Sequence, residues 1–190
     1  MSNVVILTGS ARPNSASTQV AKLVEAELKK RDGVTAEIVE VADLNLPFYN
    51  APTPPSAEGY QITDANVQAW SDKVTNASAV VWVMPEYNHS LSGIQKNAID
   101  WLFTEWSDKP LAIVAYGWYA GANVLEAVKL PLKVVKPDVR ATVGLGFTQQ
   151  LNIDGTAGDQ SAIDDALAPV IDELLAPALE ASEEVAATAA

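Results

Sequence analysis

Three short segments carry residue types able to hold and orient a small polar ligand. The first is Thr8-Gly9-Ser10-Ala11-Arg12-Pro13-Asn14-Ser15-Ala16-Ser17-Thr18, between a run of apolar residues and a helical pattern. The free amides at a helix start attract anions. Arg12 adds a guanidinium suited to forked contact with phosphate, and Ser10, Ser15, Ser17 and Thr18 add hydroxyls. The same residues also suit an ordinary helix cap followed by a polar surface loop. The second segment is Pro85-Glu86-Tyr87-Asn88-His89-Ser90-Leu91-Ser92-Gly93, where a ring, a carboxylate and an amide follow an apolar run. Such a set can flank a flat heterocycle and bond its edge. His89 could move a proton there, although a lone histidine in a polar loop is more often simply solvated. The third is Tyr116-Gly117-Trp118-Tyr119-Ala120-Gly121, whose glycines allow backbone to approach a ligand. Exposed or interfacial aromatics are the competing reading of Trp118 and Tyr119.

Composition removes several chemistries. The 190 residues include no cysteine and one histidine. Thiolate nucleophiles, disulfides, iron–sulfur ligation and multi-histidine metal sites are therefore excluded, and any redox work falls to a bound organic cofactor. The net charge is −12. Residues 151–190 hold nine acidic side chains and no Lys or Arg, so most of that charge lies at the C-terminal end. Without a basic stripe, nucleic acid is not an expected partner. No apolar run reaches the roughly 20 residues that a membrane helix needs. The N-terminal residues lack a signal-peptide pattern, so a cytoplasmic location is the expectation. Neither a Walker A sequence nor Gly-x-Gly-x-x-Gly is present.

The elements that must position the three segments alternate along the chain. Apolar runs at 4–7, 35–41, 79–84, 111–116 and 141–147 read as strands, and periodic segments at 18–30, 62–76, 94–106, 122–135 and 161–179 read as helices. Pro131 should kink or break the fourth helix, and Pro169 should bend the fifth. Residues 42–57, rich in Pro and Asn, should form a long irregular connection. Five strands joined by helical crossovers imply a parallel sheet with helices on both faces. In the order 2-1-3-4-5, a ligand sits beyond the ends of strands one and three, which puts the first two segments side by side.

Gly9-Ser10-x-Arg12, Pro85-Glu86-Tyr87-Asn88-His89 and Lys96-Asn97-Ala98-Ile99-Asp100-Trp101 together resemble the NADPH-dependent FMN reductase family, which includes quinone-reductase-like and azoreductase-like members. Leu46-Pro47-Phe48, Pro52-Thr53-Pro54-Pro55 and Glu105-Trp106 before Lys109-Pro110 resemble it too, so the likeness runs over about residues 3–150. It departs from the family pattern at Ser92, where proline is common, at Gln95, where leucine is common, and in the third loop and following helix, which carry Ala122-Asn123 and Lys129.

The resemblance implies a flavodoxin-like domain over residues 1–180, with non-covalent FMN as cofactor and NADPH or NADH as co-substrate. It implies that Ser10, Arg12, Ser15, Ser17 and Thr18 surround the phosphate. Pro85, Glu86, Tyr87 and Asn88 would line the ribityl chain and ring, and Gly117, Trp118 and Tyr119 would approach the pyrimidine end. No side chain is required as nucleophile or metal ligand. The implied reaction passes hydride to FMN and on to a small-molecule electron acceptor: a quinone, azo compound, metal ion or free flavin. An FMN-binding electron carrier or signalling module without nicotinamide turnover is the alternative, as is a non-redox domain of the same fold.

Two further expectations concern assembly and the tail. Ile94, Ala98, Ile99, Trp101, Leu102, Phe103 and Trp106 spread over an arc of roughly 200° of a helix, wider than one sheet face requires. This excess points to a homo-oligomer, at least a dimer, unless the 42–57 connection covers it, and the resemblance implies a homodimer or homotetramer. Residues 181–190, Ala- and Glu-rich without a pattern able to bury a face, should be disordered.

Replacing Arg12 by alanine should weaken FMN binding by about ten- to a hundredfold, the worth of a charge-assisted bond of roughly 1.5–3 kcal/mol, and leave the unfolding midpoint unchanged. Fluorescence titration with FMN beside thermal unfolding measures both.

Overall fold

The computed structural model describes residues 2–177. The expected tail at 181–190 lies outside the described residues. Five parallel strands alternate with five helices: β1 (Ser2–Leu7), α1 (Ala16–Leu28), β2 (Val34–Val39), α2 (Ala65–Asn76), β3 (Ala79–Pro85), α3 (Gly93–Asp100), β4 (Pro110–Gly117), α4 (Ala122–Val135), β5 (Asp138–Gly146) and α5 (Gln160–Leu175). The sheet order is β2-β1-β3-β4-β5, as the alternation of elements predicts. This is the flavodoxin-like arrangement. Among the described residues no helix is long and apolar enough to cross a membrane.

The period of two along each central strand divides the core between the two sheet faces. Val4, Ile6, Val81, Val83, Ala112 and Val114 face one side, against Val20, Val24 and Leu28 of α1 and Ile163, Leu167 and Ile171 of α5. Val5, Leu7, Val80, Trp82, Ile113 and Ala115 face the other, against Trp70 and Val74 of α2, Ala98 and Ile99 of α3, and Val124 and Val128 of α4. Burial on both faces explains why β3 and β4 read as continuous apolar runs. The buried carboxylate Glu27 is held by Arg31 at 2.5 Å and Lys30 at 2.6 Å, and Arg31 reaches Asp172 at 2.8 Å. These bonds fasten α1 to α5 and so fix the helix whose start borders the first loop.

Two expectations about helices are corrected. Helix α3 ends at Asp100 instead of continuing to 106. The Glu105 carboxylate accepts bonds from the Phe103 backbone N–H, Thr104 Oγ1 and Ser71 Oγ, which folds the chain back. Trp106 therefore turns inward, donates to Ile99 O at 3.1 Å, and packs edge-on against Trp70 and Trp82. Pro131 does not break α4, which runs as one helix from Ala122 to Val135. The helix tolerates the lost N–H bond and the crowding of the proline ring, and closes after Val135 on Lys136, a cap in left-handed conformation with φ 51°.

The apolar arc beyond Gly93 is covered within the chain. Pro47 O accepts from Asn97 Nδ2 at 2.9 Å and Trp101 Nε1 at 2.8 Å, and Asn97 Oδ1 accepts from Tyr49 N at 2.8 Å. The Tyr49 and Trp101 rings meet edge-on, with centroids 5.1 Å apart. The 42–57 connection thus takes up the surface that the sequence offers as an interface. Large apolar side chains that stay exposed include Phe48, Leu130 and Val134.

Trp106→Ala should destabilise the protein by about 3–5 kcal/mol, because three indoles lose a shared contact and a cavity remains. Urea unfolding of both proteins at pH 7 measures the difference.

Candidate functional site

A cleft of about 460 Å³ opens at the C-terminal ends of the central strands, and all three segments line it. The volume lies in the range of small-molecule and cofactor sites. Arg12, Asn14, Ser15 and Ala16 form one end. Pro85, Glu86, Tyr87, Asn88 and His89 form one wall, and Tyr116, Gly117, Trp118, Tyr119, Phe147 and Ile153 the other.

At the first end the backbone is set for an anion. The chain leaves β1 and turns at Asn14, φ 57°, into α1. Ser15 caps that helix, its side chain accepting from Ser17 N at 3.1 Å. The loop is closed by Ser15 N donating to Arg12 O at 3.1 Å and by Arg12 N donating to Ser10 Oγ at 3.2 Å. Arg12 is exposed and makes no ion pair among the described residues. A guanidinium and a helix start therefore meet at one end of the cleft, and among the described residues no carboxylate lies within ion-pair distance of the cation, although Glu40 and Asp43 share a neighbouring hollow with it.

Not every expected residue faces the cleft. Ser17 is fully buried, its hydroxyl bonded to Tyr116 OH at 2.7 Å. Ser10 bonds Tyr87 OH at 2.6 Å. Ser10 and Thr18 border a second hollow on the outer side of the loop, with Glu40 and Asp43. Ser17 and Ser10 thus brace Tyr116 and Tyr87, one from each wall. Burial pushes the Tyr116 hydroxyl up to about 12, against the opposing pull of Ser17.

The second segment is a tight hairpin. Asn88 and His89 have φ of 49° and 63°, and Tyr87 and Ser90 exchange backbone bonds of 2.9 and 3.0 Å. Asparagine at the first position suits this two-residue turn. Glu86 does not point freely at a ligand. Its carboxylate accepts from Asn123 N at 3.0 Å, Asn123 Nδ2 at 2.8 Å and Val124 N at 3.4 Å, and His89 Nδ1 lies 3.3 Å away. Helix α4 begins at Gly121, φ 66°, which offers no capping side chain. A Cβ there would sit 2.5 Å from the Ala115 side chain, so glycine is required and the cap must come from elsewhere. Glu86 supplies it and latches the second segment to the third. Burial alone would raise its pKa, but the Asn123 side chain, the two backbone N–H groups and His89 outweigh burial and hold the carboxyl below its ordinary value.

Trp118 and Tyr119 are mostly exposed at the cleft mouth, with Trp118 edge-on to Phe147 at 5.5 Å. Asn14 and Tyr116, which lie in the first and third segments but have no expected role there, also border the cleft, as do Phe147 and Ile153 from outside the three segments. Phe147 was legible in principle, since a fifth strand ending there delivers it to the same sheet edge. Ile153 had no local signal, because only the chain reversal after β5 brings it near.

The fold and this cleft define a cofactor-binding flavodoxin-like protein. Residues 2–145 match the NADPH-dependent FMN reductase family. The chain is 31% identical over 173 residues to a NAD(P)H-dependent FMN reductase of Nectria sp, covering 85% of this chain and 86% of the relative. It is 34% identical over 140 residues to a quinone reductase of Pseudomonas putida, covering 68% and 69%. Among solved structures it is similar to FerB, a flavoenzyme NAD(P)H:(acceptor) oxidoreductase from Paracoccus denitrificans, with TM-score 0.70 and 22% identity over 92% of this chain and 97% of that one. That last likeness concerns the fold. The chain belongs to the NADPH-dependent FMN reductase family: it is an oxidoreductase with FMN as cofactor and NAD(P)H as electron donor.

Glu86→Gln should destabilise the protein by about 1–2 kcal/mol at pH 7, the range of a lost charged helix cap. A carboxyl held below its ordinary pKa stabilises above that value and loses the contribution as pH falls through the lowered one. The gap between variant and wild type should therefore shrink below about pH 4. Urea unfolding at a series of pH values reads it.

Proposed function

We propose that the cleft binds FMN with its phosphate at the start of α1 beside Arg12 and its ring between the walls formed by Tyr87 and Trp118. The observation that carries this reading is one continuous cleft with an unpaired guanidinium and a helix start at one end and aromatic walls at the other. The groups present fit the cofactor: an anion end, hydroxyl-bearing walls, and a slot of the right volume. When bound, FMN supplies a carrier able to take a hydride from a nicotinamide and release it to an acceptor.

The chain's own residues bind and orient. Arg12 and the first amides of α1 hold the phosphate, with Ser15 beside them. Tyr116, a neutral phenol bonded to Ser17, lines the wall beside it. The Glu86 latch fixes the distance between the walls, and its charge is taken up by α4 rather than facing the ring. Trp118, Tyr119 and Ile153 form an apolar rim, which favours a flat organic acceptor such as a quinone over a bare metal ion. Because one opening serves both donor and acceptor, they bind in turn and the kinetics are ping-pong. Exposed Phe48, Leu130 and Val134, rather than the α3 arc, are the apolar surface that supports a homo-oligomer.

The protein loaded with FMN should show a flavin spectrum, and anaerobic NADPH or NADH should bleach it. Initial rates with a benzoquinone acceptor should give parallel reciprocal lines. A flavin spectrum that neither nicotinamide bleaches would instead identify an electron carrier, and intersecting lines would exclude the shared opening.

A further inference from the structure

The first loop must leave the sheet at a fixed angle to present Arg12 to the cleft. The β1–β3 ladder ends at Leu7↔Trp82, where the backbone pairing parts although the chain at Gly9 still lies against β3. Parting frees backbone carbonyls in a buried place, where each needs a donor. Two side chains from the start of α3 supply them. Ser92 Oγ, almost fully buried, donates to Gly9 O at 2.5 Å, and Gln95 Nε2, fully buried, donates to Val83 O at 3.2 Å. Ser92 also accepts from Gln95 N at 3.2 Å, so the pair forms one unit. A Cβ on Gly9 would lie 2.6 Å from both Gln95 Oε1 and Val83 O, which places the Gln95 amide in the gap between the strands.

Gln95 Oε1 has no hydrogen-bond partner among the described residues. An unpaired buried carbonyl costs stability, and an apolar side chain of similar size would remove it only by leaving Val83 O without its donor, so the amide brings little net stability. The amide is therefore poorly explained as a device for folding alone.

We propose that Ser92 and Gln95 are positioning residues that hold the first loop in the orientation that binds the FMN phosphate, Ser92 by its bond to Gly9 O and Gln95 by an amide, anchored on Val83 of β3, against which Gly9 packs. The proposal rests on the placement of that phosphate at the start of α1. Neither residue touches the cofactor; they act through the loop.

The test compares FMN with riboflavin, which carries the same ring and ribityl chain without the phosphate. Ser92→Ala and Gln95→Leu should each weaken FMN binding by about tenfold, the worth of one buried hydrogen bond, and leave riboflavin binding unchanged within about twofold. Ser92→Thr, which keeps the hydroxyl, should restore FMN binding to within about threefold of wild type. Thermal unfolding of the flavin-free Gln95→Leu protein should stay within about 2 °C of wild type, because a lost bond and a removed orphan carbonyl offset each other. Equal losses for FMN and riboflavin, or no loss for either, would overturn the positioning role. Wild-type protein that binds FMN no better than riboflavin would overturn the phosphate placement itself, and that pattern is distinct from the other two.

Discussion

Past Leu7 the backbone of β1 passes so close to β3 that no side chain fits at position 9. A Cβ on Gly9 would lie 2.6 Å from the Val83 carbonyl, and Pro85 is closer still. This contact sets where β1 stops pairing and where the loop toward α1 begins. Everything at the anion end follows from it: the turn at Asn14, the Ser15 cap and the exposure of Arg12. The same approach brings Pro85 against the first loop, so two cleft walls are placed by one packing constraint. A glycine without such neighbours would leave that loop free to wander, and the helix start would lose its fixed relation to the second segment.

The scaffold beneath is stiff for reasons of burial. Strands β1, β3 and β4 are apolar on both faces, and each face is packed by helices, so the strand ends cannot shift independently. Cross-links from one segment to another then tune the cleft. Ser10 to Tyr87 joins the first loop to the second, Ser17 to Tyr116 joins α1 to β4, and Glu86 to Asn123 joins the second segment to α4. Each is a polar bond at the edge of an apolar core, where competing water is scarce and the bond has more effect. The walls are thus held by the protein before any ligand arrives, which lowers the ordering cost of binding.

Charge is arranged with similar economy. The chain is acidic, yet the acidic groups nearest the cleft are occupied. Glu86 is bound by helix α4, and Glu40 accepts the Thr8 hydroxyl at 2.8 Å on the far side of the loop. Exposed Arg12 borders both the cleft and the second hollow lined by Glu40 and Asp43, and pairs with neither carboxylate within ion-pair distance among the described residues.

The sequence by itself determined the strand order, the three converging segments and the cationic end, because these rest on local signals. Apolar runs, a period of 3.6 and a hydroxyl-rich helix start can each be read within a dozen residues. Arg12, Ser15, Tyr87, Gly117 and Trp118 were therefore legible, and the structure brings them to one cleft. Only the tertiary structure decided the length of α3, since Glu105 captures a backbone N–H and turns Trp106 inward. It also decided that the 42–57 connection covers the arc around Trp101, and that Ser10 and Ser17 bond tyrosines from other elements. The roles of Glu86, Ser92 and Gln95 belong to the same group. Their partners are 37, 83 and 12 residues away in the chain. No periodicity records such a distance, because a polar side chain looks the same in sequence whether it meets a ligand, water or the end of another helix.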